Sequence, residues 1–68
     1  MKLVTREITT NTVQLNLYTD EQWEDRKYLD TGVDVDDIGD AVRRLTMGGT
    51  FNLYKNVNSD NEYILIRY

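Results

Sequence analysis

Ile38, Ala41, Val42 and Leu45 recur at i, i+3, i+4 and i+7, the spacing that lines one side of an α-helix, and no other stretch of the chain keeps it. Asp36, Asp37 and Asp40 crowd the start of this stretch, Arg43 and Arg44 occupy its second half, and Gly48-Gly49 follows. Acids at the positive end of the helix dipole, cations at the negative end and glycine past the last turn all favour a helix with defined ends. Asp34 or Asp36 is expected to cap it and the glycine pair to stop it. Because the glycines follow a helix instead of preceding one, they are not a phosphate cradle.

Short alternating runs lie on both sides of this helix. Lys2 to Thr10 reads as a strand in which Arg6 shares a face with Val4 and Ile8, the mark of an edge position. After a turn at Thr10-Asn11-Thr12, Val13, Leu15 and Leu17 alternate with Gln14, Asn16 and Tyr18, which makes the pair an antiparallel hairpin. Beyond the helix, Thr50 to Val57 places Phe51, Leu53 and Val57 against Asn52, Tyr54 and Asn56. Asn58-Ser59-Asp60-Asn61 has the composition of a hairpin loop. Glu62 to Tyr68 is a strand with apolar side chains on both faces, Tyr63 and Leu65 opposite Ile64 and Ile66, which suits a central strand or one covered by a partner.

Residues 19–32 admit three readings. Thr19 followed by Gln22 fits a capping box for a short helix through Trp23 to Lys27. A long loop competes with it, as does an added strand through Tyr28-Leu29 or Val33–Val35; Asp30-Thr31-Gly32 marks a turn in each case. The expected fold is α+β, a single small domain over residues 1–68. It has a four- or five-stranded antiparallel sheet with one α-helix packed on one face, in the order β-β-(acidic loop or short helix)-α-β-β.

The 68 residues include no cysteine and no histidine, so neither a disulfide nor a structural zinc site can support the fold, and a small apolar core must do so. The same absences argue against catalysis. No side chain titrates near neutrality unperturbed, and Ser59, the sole serine, lies in a turn without a base. A carboxylate pair would need burial that so small a domain rarely provides. The chain is expected not to be an enzyme and to carry no cofactor. Asp34, Asp36 and Gly39 match the first, third and sixth positions of a calcium loop, but Ile38 and Leu45 fall where ligands are required, so no metal is expected. The longest apolar run is Tyr63-Ile64-Leu65-Ile66, and the first residues lack the apolar centre of a signal peptide. These features predict no membrane partner and a cytoplasmic location, the host cytoplasm for a viral chain.

The net charge of −4 hides an asymmetry. Residues 20–40 hold nine acids against two bases, a net of −7, whereas the remainder holds three acids and six bases, a net of +3. Concentrated negative charge disfavours nucleic acid and favours a basic partner. Asp20, Glu21, Glu24, Asp25, Asp30 and Asp34, with the aromatic residues Trp23 and Tyr28 among them, form the candidate partner-binding set: carboxylates steer the encounter and aromatics supply buried contacts. Tyr18, Tyr54 and Tyr68 are expected on the sheet face opposite the helix. The functional expectation is a small acidic protein-interaction module of the phage-antagonist type. It would inhibit a larger basic host protein, one that handles nucleic acid, by docking a carboxylate-rich surface that mimics nucleic-acid charge. Two alternatives belong to other classes: a homodimeric regulator binding nucleic acid through Arg43, Arg44 and Lys55, and a structural homo-oligomer pairing through its final strand.

Overall fold

The alternating run Val13, Leu15, Leu17 occupies the middle of the sheet. In the computed structural model, which describes residues 1–24 and 32–68, it belongs to β2 (Thr12–Tyr18), flanked by β1 (Lys2–Glu7) and β5 (Glu62–Arg67). The two-residue strand β3 (Val33–Asp34) pairs with the start of β1, and β4 (Phe51–Lys55) pairs with β5. Among the described residues the sheet therefore has five strands in the order β3-β1-β2-β5-β4, and every neighbouring pair is antiparallel. Among the described residues there are two helices, α1 (Asp20–Glu24), the short-helix reading of the acidic segment, and α2 (Ile38–Thr46).

Directly opposed residues of antiparallel strands share a face, so the register sorts the side chains. Leu3 lies opposite Leu17, Val13 opposite Leu65, and Leu53 opposite Leu65. These residues face α2, whose Ala41 and Val42 are buried in one cluster with Leu3, Leu15, Leu17, Val35 and Leu65; Ile38, Leu45, Leu53 and Tyr63 pack around it. Burying each such leucine contributes about 1.5–3 kcal/mol. The other face carries Val4, Gln14, Asn16, Ile64, Ile66 and Tyr54 by the same parity. Tyr18 shares it and is buried at one end, where its ring lies 5.9 Å from that of Trp23 in α1.

The ends of both helices are fixed locally. Thr19 and Gln22 form the capping box in full: the Thr19 amide donates to Gln22 Oε1 (2.9 Å) and the Gln22 amide to Thr19 Oγ1 (3.2 Å). The helix that follows is described over Asp20–Glu24, and the Asp25–Lys27 part of the expected helix lies outside the described residues. The cap of α2 is Asp37 instead of Asp34 or Asp36. Its extended backbone turns Oδ1 onto the Asp40 amide (2.8 Å), while Asp40 Oδ2 accepts from the Asp36 amide (3.1 Å). Asp34 is engaged in β3. At the other end Met47, not a glycine, takes the left-handed conformation (φ 53°, ψ 34°), and Gly48 follows with φ 83°. Arg67 of β5 reaches beneath this last turn, donating to the Leu45 carbonyl (3.2 Å) and to Thr10 O in the β1–β2 turn (3.3 Å).

Of the competing readings for the acidic segment, an added strand forms at Val33–Asp34; Tyr28-Leu29 and the Asp30-Thr31 part of the turn lie outside the described residues. Among the described residues Arg6 has the edge position expected of it, because β3 pairs only with Lys2 and Leu3 there. The final strand, β5, is bonded on both sides, so pairing of copies through its edge is not available. Among the described residues no helix is long and apolar enough to cross a membrane.

Candidate functional site

The acidic residues are brought to one end of the sheet by Met1 and Lys2. The Val35 amide donates to the Met1 carbonyl (2.9 Å), which lays β3 along β1, and the Met1 amine stands 3.9 Å from Asp20 at the start of α1. Lys2 Nζ lies 2.7 Å from Asp34 Oδ1. Its hydrogen bond and its positive charge hold the Asp34 carboxyl below the ordinary aspartate range. From Asp34 the chain runs through buried Val35 straight into Asp36, Asp37 and α2. The structure thus collects Asp20, Glu21, Glu24, Asp34, Asp36 and Asp37, all exposed, where β3, α1 and the start of α2 meet.

Neutralisation of this end is partial. The Met1 amine serves Asp20, Lys2 serves Asp34 and Arg44 serves Asp40 (3.5 Å). Glu21, Glu24 and Asp36 make no ion pair among the described residues. Among the described residues the exposed carboxylates of this end outnumber the Met1 amine and the Lys2 ammonium, so their summed charge is negative. Of the sequence-predicted set, Asp20, Glu21, Trp23, Glu24 and Asp34 are found here; Asp25, Tyr28 and Asp30 lie outside the described residues.

Trp23 has a structural part in the fold. It is half-buried, stacked at a tilt on Tyr18, and a Cβ built on Gly32 would stand 2.6 Å from its Cη2 and 2.8 Å from Cζ2. The indole is wedged between the end of β2 and the chain entering β3. It holds α1 to the sheet, and the ring is left half-exposed beside the α1 carboxylates.

The alternative basic set is dispersed in role. Arg44 lies on Asp40, Arg43 lines a groove, and Lys55 ends β4. That groove, about 340 Å³, runs between α2 and β4 and is walled by Ile38, Val42, Phe51 and Leu53, with Gly48 and Gly49 at one end. Strand order is non-local, so alternation in the sequence could name β4 as a strand but not as the free edge beside this groove. On the open face of the sheet, the Glu62 carboxylate accepts from Gln14 (3.2 Å) and Asn56 (2.8 Å). Tyr54 and Tyr68 are exposed on that face as expected, with Asn52 donating to the Tyr68 hydroxyl (2.9 Å).

The chain matches no known protein family, no curated protein and no solved structure.

Proposed function

We propose that this protein is a small protein-docking module that sets its acidic end against a basic surface of a larger protein. Where that surface is the partner's nucleic-acid site, docking occludes it and the module acts as an inhibitor. The observation that supports this reading is the gathering of exposed carboxylates at the junction of β3, α1 and the start of α2, with Glu21, Glu24 and Asp36 left without ion pairs among the described residues. A negative patch raises the encounter rate with a basic partner and repels nucleic acid. Packing of Trp23 on Tyr18 anchors α1 to the sheet, so less conformational freedom is lost when its carboxylates bind.

The test is affinity capture from a bacterial lysate, at low and high salt, with the wild-type chain and with Glu21→Lys/Glu24→Lys. Both substitutions lie on exposed helix positions and should leave the fold intact. Retention of a basic protein by the wild type, weakened by salt and abolished in the variant, supports the reading. Capture indifferent to both changes refutes it.

A further inference from the structure

We propose that the chain forms a two-fold dimer in which β4 pairs antiparallel with β4 of a second copy, joining two sheets into one of ten strands. The bonds of β4 to β5 show which of its backbone groups are free. The Tyr68 amide donates to Thr50 O and the Asn56 amide to Glu62 O, both at 3.0 Å, so the even-numbered positions turn toward β5. Hydrogen bonding in an antiparallel ladder alternates. Phe51, Leu53 and Lys55 therefore point their N–H and C=O groups outward. Edge strands are ordinarily blunted by proline, by a bulge, by shortness or by several charges. β4 has five residues, no proline and a single charge, Lys55.

One register satisfies every outward group. With Leu53 opposite Leu53 of the second copy, Phe51 falls opposite the partner's Lys55 and Lys55 opposite the partner's Phe51. All three positions then exchange both of their backbone bonds. The same register never sets lysine against lysine; it lays each ammonium against an aromatic ring on the same face. On the other face it sets Asn52 against the partner's Tyr54, a pairing of amide with phenol. The strand is thus complementary to itself, which selects a second copy over a foreign segment.

Area and charge point the same way. Taking roughly 200 Å² for a buried aromatic side chain, the exposed fractions of Phe51 (41%), Tyr54 (54%) and Tyr68 (74%) leave about 340 Å² open along this edge. Met47 and Val57 in the flanking loops are almost wholly exposed, and the walls of the groove between α2 and β4 add to this. A standard interface buries about 800 Å² a side, so a junction on this smaller edge makes a weak dimer that forms as concentration rises. The acidic end lies at the β3 edge, the far side of the sheet. Strands are spaced ~4.8 Å apart, so a β4–β4 junction keeps the two acidic ends roughly 40 Å apart, far beyond the ~8 Å screening length at physiological salt. Joining through β3 would press them together.

Sedimentation velocity of the full chain, from micromolar to millimolar, tests this with Phe51→Lys and Phe51→Glu. Each is checked for an unchanged far-ultraviolet circular dichroism spectrum. The wild type should dimerise. Phe51→Lys sets lysine against the partner's Lys55 and should weaken the dimer by about tenfold or more. Phe51→Glu supplies an opposite charge there and should dimerise more tightly than the lysine variant, by a margin that salt removes. A wild-type chain that stays monomeric at millimolar concentration overturns the proposal, as does equal weakening by the two substitutions.

Discussion

Substituting Gly32 by alanine should unseat Trp23. The added Cβ would lie 2.6, 2.8 and 3.1 Å from Cη2, Cζ2 and Cζ3 of the indole, whereas carbon atoms rest about 3.5–4.0 Å apart. The overlap is therefore roughly 1 Å. The indole cannot yield freely, because it also contacts the buried ring of Tyr18. Overpacking of this kind destabilises by about 1–3 kcal/mol. A domain of this size has roughly 3–10 kcal/mol in total. At about 4–8 °C per kcal/mol, the melting temperature should fall by roughly 4–24 °C. Trp23 is the sole tryptophan, so its emission reports the displacement directly: a red shift is expected as the ring becomes wetter. The three atoms that clash belong to the part of the indole that a phenyl ring lacks. Trp23→Phe should therefore relieve most of the penalty, and the double variant should melt well above the sum of the single losses. Unchanged melting and emission in Gly32→Ala, or strictly additive losses in the double variant, would refute the wedge.

Two further expectations follow from the ends of β3 and α2. Asp37→Ala removes the side-chain acceptor of the Asp40 amide and should lower stability by about 1 kcal/mol, read as a lower urea midpoint at constant slope; an unmoved midpoint would assign the cap elsewhere. Lys2 holds the Asp34 carboxyl below its ordinary value, so the ion pair contributes fully above the unfolded pKa of about 4 and is lost as pH falls through the lower folded value. Asp34→Asn should flatten the acid side of the stability–pH curve below about pH 4 while changing little in high salt. An acid limb identical to wild type would show that β3 does not depend on this pair.

Local chemistry was the legible part of the sequence. The Ile38–Leu45 spacing located α2 to within a residue because a helical face depends only on neighbours three and four apart. The Thr19–Gln22 box likewise acts within one turn. Choice among equivalent neighbours was not legible. Asp34, Asp36 and Asp37 have the same side chain, and only the extended backbone at Asp37, with Asp34 drawn into β3, decides which one caps. Val33–Asp34 is too short for alternation to show; it is a strand because the Met1 carbonyl and Lys2 bind it. The acidic end was visible as charge density between residues 20 and 40, but the partnership of Trp23 with Gly32 was not, since steric contact across nine residues leaves no compositional trace. The Arg67 clamp on α2 and the free edge at β4 depend on strand order, which no pattern within a strand encodes.

The seam between β2 and β5 sets the order in which this chain can organise itself. Its opposed residues, from Asn16 with Glu62 to Thr12 with Ile66, are 46 to 54 positions apart, whereas the nearest opposed pairs of the two hairpins, Glu7 with Val13 and Lys55 with Tyr63, are 6 and 8 apart. Closing the longer loop costs about 1.5–2 kcal/mol more in chain entropy. The hairpins are self-contained zippers, and the seam is the late stitch that makes two ribbons one cloth. A lesion near either turn is a local fault, while one at Leu15 or Leu65, which carry the two ribbons into one cluster with α2, severs the molecule along its length.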